Sequence, residues 1–282
     1  MPSVPCGSLG YDHDQMVKIN TGIGKGVLHP NKGQRKFTTA RFAPSAALAP
    51  FVEHFWTVAW HLPEGEVFVQ ETLPYPCVHV AFEPNHSEVV CVLKGRFVRR
   101  LEGVGRVFGV RLYPGAFYPF LPQDQSQLCD KRIPVNTVFP NLDLTAFEQH
   151  LFSRTNEIEM AGVLDQLFVS HLPSQVKDVD VVKACYDLIE RDQSIGSVAD
   201  LAESACVSVR SLQRKFSQII GVSPKWVIQR IRLQDALERV QGSEGATLAS
   251  IAADLGYADQ AHFTRDFKAV VGVSPQRYKA TD

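Results

Sequence analysis

At 282 residues the chain is long enough for two domains, each burying its own core. A hydrophobic share of 45% excludes large-scale disorder, and a net charge of -1 excludes a protein that coats nucleic acid through overall positive charge, so any nucleic-acid surface must be local. The six cysteines form no Cys-x-x-Cys pair, and no apolar run reaches the roughly 18 residues a membrane span needs. The expectation is therefore reduced thiols in a cytoplasmic protein with no membrane partner.

Residues 1–45 show weak periodicity and read as a partly disordered leader. Its stretch from Lys25 to Arg41 holds Lys32, Arg35 and Lys36 without an acidic residue, which is either a solvated segment or an arm that touches DNA. Residues 46–172 read as a β-barrel-like sensor or dimerisation domain with trailing helices. Short apolar runs at Phe55–Trp60, Val78–Phe82, Val89–Leu93 and Val107–Leu112 are separated by breakers such as Pro63-Glu64-Gly65, Lys94-Gly95 and Pro114-Gly115. The mouth of such a barrel offers a place for a small molecule. From Leu142 helical spacing takes over, with apolar stripes Leu144, Phe147, Leu151, Phe152 and then Ile158, Val163, Leu164, Leu167, Phe168. This helical pair is expected to pack on the barrel or to form a subunit contact. Residues 173–180, with Pro173 and Ser174, read as the interdomain linker.

Residues 181–282 read as an all-α domain that writes one pattern twice. Leu212-Gln213-Arg214-Lys215-Phe216 with Gly221-Val222-Ser223-Pro224 recurs 51 residues later as Phe263-Thr264-Arg265-Asp266-Phe267 with Gly272-Val273-Ser274-Pro275. Each copy reads as a helix-turn-helix, over residues 198–220 and 248–271. In the first, Val198, Leu201, Ala202 and Ala205 form one helix, the chain breaks at Cys206-Val207, and Ser208 caps a second helix with Leu212, Phe216 and Ile219 inward. In the second, Leu248, Ile251, Ala252 and Leu255 precede a turn at Gly256, and Asp259 caps a helix with Phe263, Phe267 and Val270 inward. These aromatics read as core and not as a stacking platform for single strands. A strut helix from Pro224 to about Val240 joins the copies, and at 1.5 Å per residue it spans roughly 25 Å, near the separation of successive major grooves. Glycine, serine and proline in each Gly-Val-Ser-Pro supply an αL stop, a cap and a first helical residue.

The outward residues suit duplex DNA, since arginine donates two parallel hydrogen bonds to guanine and glutamine bridges adenine. Candidate contacts are Arg210, Ser211, Gln213, Arg214 and Lys215 in the first copy and Gln260, His262, Thr264, Arg265 and Lys268 in the second. For Arg214, and somewhat less for Arg265 with Asp259 and Asp266 nearby, the base or phosphate role is favoured over that of a structural ion-pair partner. Between Ser208 and Gln234 there are Arg210, Arg214, Lys215, Lys225, Arg230 and Arg232 and no acidic side chain, a local basic footprint hidden in the overall charge. The second copy carries Asp259 and Asp266, so the first is expected to supply more of the affinity.

The run from Ile251-Ala252-Ala253-Asp254-Leu255-Gly256-Tyr257 through Phe263-Thr264-Arg265-Asp266-Phe267-Lys268 to Gln276-Arg277-Tyr278 closely resembles the C-terminal signature of the AraC/XylS transcription regulators, across about Val179 to Lys279. That resemblance implies base reading by Arg210, Gln213 and Arg214, and base or phosphate contacts by Gln260, His262 and Arg265. Cys206 departs from it, standing where the family usually has glycine. If that turn needs positive φ, the departure costs about 1 kcal/mol. Leu73-Pro74-Tyr75-Pro76-Cys77-Val78 and Phe108–Gly115 resemble a barrel-type sensor domain of some members. The resulting expectation is an α+β protein, with a small β-barrel or cupin-like domain followed by two helix-turn-helix motifs. It regulates transcription on promoter DNA, with a small-molecule effector, RNA polymerase and a second copy of the chain as further candidate partners, and it is not an enzyme. The alternative is a catalytic N-terminal domain joined to the same module. His54, His61, His79 and His86 make a metal cupin conceivable, but His79 lacks the neighbouring histidine such sites use, so no cofactor, metal or catalytic residue is assigned.

Overall fold

The structure, a computed structural model, describes residues 17–20, 26–33, 35–173, 177–242 and 247–281. The leader up to residue 16, Lys25 and Ser174 lie outside the described residues. The N-terminal half contains β1 (Lys18–Asn20), α1 (Pro30–Gly33), β2 (Phe37–Phe42), β3 (Val52–His61), β4 (Val67–Thr72), β5 (His79–Phe82), β6 (Glu88–Val90), β7 (Phe97–Glu102), β8 (Val104–Leu112) and β9 (Arg132–Pro134). Two helices follow, α2 (Leu144–Phe152) and α3 (Glu157–Val169). The C-terminal half is helical: α4 (Lys177–Arg191), α5 (Val198–Ser204), α6 (Val209–Ile219), α7 (Pro224–Gly242), α8 (Leu248–Asp254), α9 (Gln260–Val271) and α10 (Pro275–Thr281).

Seven strands form an antiparallel sheet in the order β1-β2-β3-β8-β5-β6-β9, and β4 with β7 make a separate two-stranded ribbon. Residues directly opposite one another share a face. The register therefore gathers Phe42, Phe55, Val110, Val80 and Val89 on one side and Arg41, Trp56, Gly109 and Ala81 on the other. The first side is fully buried and packs with Met160, Ala161, Leu164 and Phe168 of α3 and Leu151 of α2. On the second side Phe37 and Trp60 meet Leu62 of the following turn and Leu101 of the ribbon, so the two layers close like a barrel at that end.

The expected leader does not end at residue 45. Strand β2 is an inner strand, paired with both β1 and β3, and Phe37, Ala40 and Phe42 have core positions although Thr38, Thr39 and Arg41 stand between them. Lys36 is paired with Glu66 and Arg41 sits on the inner sheet face, so these two charges are not a free arm. The expected linker is also shorter. Helix α4 starts at Lys177, with Asp178 and Asp180 complementing its N-terminal dipole and Val179 and Val182 buried. Hydrophobic burial then runs unbroken from the sheet into the first helix-turn-helix, through Val182, Tyr186, Leu201, Leu212, Phe216 and Ile228. The second motif has its own smaller core of Leu237, Ile251, Phe263, Phe267 and Tyr278, to which the N-terminal half adds Leu28 and Leu73 among the described residues.

Candidate nucleic-acid interface

The first motif opens with a capping box. Asp200 N donates to Ser197 Oγ at 3.2 Å, and Ser197 N donates back to the Asp200 carboxylate at 2.8 Å. Helix α5 ends at Ser204, and Cys206 takes φ 53°, in the left-handed region. Val207 N then donates to Ala202 O at 3.0 Å, which tightens the turn. Ser208 restarts the chain as a helix, its hydroxyl accepting from Ser211 N at 3.2 Å. With Leu212, Phe216 and Ile219 of α6 buried against α4 and α5, Arg210, Gln213 and Arg214 are exposed and make no hydrogen bond or ion pair with the described residues. Ser211 is partly covered.

The second motif repeats this construction. Thr247 accepts from Ser250 N at 3.1 Å to cap α8, Gly256 takes φ 73° where the first motif has Cys206, and Asp259 caps α9 by accepting from His262 N at 2.7 Å. Phe263, Phe267 and Val271 are its buried stripe; Val271, one residue beyond the expected Val270, completes it because the helix extends that far before Gly272 stops it at φ 90°. Gln260, Arg265 and Lys268 are exposed and Thr264 is partly exposed. His262 is engaged, with Nε2 3.5 Å from the Asp266 carboxylate and its ring edge-on to Tyr257.

The 19 residues of α7 join the motifs, a length of about 28 Å. Ser223 accepts from Trp226 N at 3.2 Å at its start, after Gly221 at φ 100°. Two members of the expected basic footprint are not part of any free surface. Lys215 is paired with Asp178 on α4, and its side chain is only 14% exposed. Arg230 is 2% exposed: its guanidinium donates to Pro74 O at 2.9 Å and to Lys94 O and stacks on Trp226, while burial lowers its pKa to about 10. Arg232 lies between the motifs, since a Cβ on Gly196 would come 2.9 Å from its Nη2 and one on Gly256 would come 3.3 Å from it. No sequence signal separated these arginines from the exposed ones, because helical periodicity locates a buried face but not a buried polar partner on another domain. The exposed cations of this stretch are thus Arg210, Arg214 and Lys225.

A second cluster lies where the sheet meets α4. Arg111 Nε is 2.8 Å from the Glu53 carboxylate, its guanidinium lies 4.3 Å from the Tyr75 ring centroid, and Cys77 Sγ is 3.5 Å from His79 Nε2. Burial, with the positive charge of Arg111, lowers the pKa of His54 to about 2 and of His79 to about 3, and burial raises that of Cys77 to about 11. These histidines are neutral and this cysteine is a thiol at neutral pH. Among the described residues no group of three or more His, Cys, Asp or Glu converges as metal ligands would.

Residues 201–281 match the family described as "Helix-turn-helix domain", and residues 40–134 match a "Domain of unknown function (DUF6597)". A relative in Haemophilus influenzae, an "Uncharacterized HTH-type transcriptional regulator", is 33% identical over 104 residues, 37% of this chain and 35% of its own length. A "Putative AraC-like transcription regulator" of Streptomyces lividans is 34% identical over 100 residues, 35% of this chain and 33% of its own. The chain thus spans about a third of the length of these relatives. Among solved structures, the C-terminal domain of the response regulator AraT from Geobacillus stearothermophilus aligns at 28% identity and a TM-score of 0.36, over 38% of this chain and 89% of that one.

Proposed function

From the premise that residues 201–281 are an AraC-type helix-turn-helix domain, we propose that the whole chain is a sequence-specific transcription regulator acting on promoter DNA in the cytoplasm. The observation that carries this reading is the uncommitted state of one helical face in each motif. Arg210, Gln213 and Arg214 on α6, and Gln260, Arg265 and Lys268 on α9, are exposed on helices whose opposite faces are locked into cores. An exposed arginine beside an exposed glutamine on a capped second helix has the donors that read guanine and adenine edges in a major groove. In this reading Ser211, Thr264 and His262 beside them supply further phosphate or base contacts, and the pairing of Lys215 with Asp178 speaks against counting Lys215 among them. The N-terminal domain senses a small molecule or pairs with a second copy, and RNA polymerase is the partner through which bound protein affects transcription.

Selecting bound duplexes from a random pool and titrating the winner by fluorescence anisotropy tests this. Arg214→Ala should weaken specific binding by about 10- to 100-fold, corresponding to about 1–3 kcal/mol, and relax the preference at one base position. Unchanged affinity and unchanged preference would remove Arg214 from the reading set.

A further inference from the structure

Helix α7 belongs to both cores, but at different stretches. Ile228 and Ile231 are buried with the first motif and the sheet domain, whereas Leu233, Leu237 and Val240 are buried with the second motif, and among the described residues no buried side chain is shared between the two clusters. Apolar packing therefore fixes each motif to its own part of the helix and leaves the angle between them to other contacts. Beside the crossover lies a crevice of about 20 Å³, lined by Ile195, Ile231, Arg232 and Leu255, with room for about one water between the cores.

What spans the seam is a pair of arginines on one face of α7. Arg232 and Arg239 stand two helical turns apart, so their side chains leave the helix in nearly the same direction. Arg239 Nη2 donates at 3.3 Å to Gln193 Oε1, in the loop that leads into the first motif, and its Nη1 donates at 3.3 Å to Asp254 Oδ2 on α8 of the second. Arg232 bridges the same two sides with less room. A Cβ built on Gly196, just before the Ser197 cap, would fall 2.9 Å from its Nη2, and one on Gly256, in the turn of the second motif, would fall 3.3, 3.7 and 3.9 Å from Nη2, Cζ and Nη1. The guanidinium thus lies on Gly256 and abuts Gly196. Its charge also reaches the Asp200 carboxylate, which accepts from Gly196 N at 3.0 Å and whose pKa is held low by the Ser197 hydrogen bonds first and by Arg232 after them.

We propose that Arg232 and Arg239 are positioning residues that fix the angle between the two motifs, and so determine which separation of half-sites the chain accepts. The inference rests on the reading of the chain as a DNA-binding regulator with two recognition helices. One base pair inserted between half-sites shifts the second by about 3.4 Å and turns it by about 35°, a displacement that α9 can follow only if α7 bends at the crossover. Bending there draws Gly256 away from Gly196 across Arg232, and Asp254 away from Gln193 across Arg239. An exposed ion pair alone resists this weakly, but a planar guanidinium wedged between two backbone turns resists it sterically as well. Spacing preference is in this way separate from base preference, which belongs to the exposed residues of α6 and α9.

Duplexes selected from the random pool, and the same duplexes with one base pair added or removed between the half-sites, supply the test. Wild type should lose at least about 10-fold in affinity on either altered spacing, the loss expected when one motif is forced off its bases. Gly196→Ala keeps both arginines and their charge, and Gly196 has no positive φ for a side chain to strain, so the fold should stay intact while the methyl displaces the Arg232 guanidinium. That variant, Arg232→Ala and Arg239→Gln should each narrow the penalty to less than about 3-fold on at least one altered spacing, with base preferences inside each half-site unchanged. In the chain without DNA, amide residual dipolar couplings of α5 with α6 and of α8 with α9 should fit one common alignment in wild type and two in Gly196→Ala and Arg232→Ala. An unchanged spacing penalty in all three variants, or one common alignment in both of the latter, overturns the proposal. So does equal weakening of every duplex by Arg232→Ala with a salt slope reduced by about one, the mark of a phosphate contact. Failure to select any duplex strikes the regulator reading instead, and the dipolar couplings then decide the role of the arginine pair on their own.

Discussion

Cys206 shows what a single residue can cost. Its φ of 53° is one that L side chains rarely adopt, and the matching position in the second motif is Gly256 at φ 73°. Since the cysteine is exposed, it gains nothing from packing that would offset the strain. Cys206→Gly should therefore raise stability by about 0.5–1 kcal/mol, measured as a higher urea midpoint with an unchanged slope. The position was legible from the sequence, because the duplicated pattern placed a glycine opposite it. His54 was not legible in that way. Four histidines fall within the sheet-rich region, and only the register beside Arg111 reveals that this one is buried and uncharged. A folded-state pKa of about 2 against an ordinary 6.5 means that the unfolded chain binds the proton first. The stability from keeping His54 neutral is therefore present above pH 6.5 and is lost as the pH falls toward that lower value. Between pH 6.5 and 4.5 unfolding free energy should fall by up to ~1.4 kcal/mol per pH unit on its account. His54→Gln should show a correspondingly shallower decline in denaturant titrations; parallel curves would show that His54 titrates like an exposed histidine.

Among the elements, those with one-sided amphipathicity were readable and those defined by a partner were not. Helices α6 and α9 follow from Leu212, Phe216, Ile219 and from Phe263, Phe267, with Ser208 and Asp259 as caps. Strands β3, β5 and β8 follow from their apolar runs. By contrast β2, β4 and β7 carry polar or charged side chains at half their positions and are held by cross-strand pairing, which leaves a weaker trace. Helix α7 was recognised as a strut but its attachment was not, because Arg230 and Gln234 look like surface residues until Pro74, Lys94 and Leu73 are found to accept from them. Arg230→Met keeps the apolar stem and removes the donors, leaving two carbonyls to find other partners. It should destabilise the fold by about 2–4 kcal/mol in equilibrium unfolding, and a loss below 0.5 kcal/mol would mean that water replaces the guanidinium at little cost.

Across the whole molecule, the two reading motifs are supported unequally. The core of the first is continuous with the sheet domain, and Cys129 Sγ donates to Gly221 O at 2.9 Å while Gln218 donates to the Tyr118 hydroxyl at 3.2 Å, tying α6 further to the N-terminal half. The second rests on a small core of its own, joined to that half by Leu28, Leu73, His29 N to the Tyr278 hydroxyl, and Arg96 to Val271 O. Native-state hydrogen exchange should separate them. Amides of α6 should open only with global unfolding, whereas those of α9 should exchange at a distinctly lower free energy, since residues that share a core open together. Equal protection in both helices would contradict this division. If it holds, and the chain binds DNA as proposed, the duplex meets one motif already set and another that settles on binding, so the contacts of the second motif would carry the larger ordering entropy and be the more sensitive to temperature.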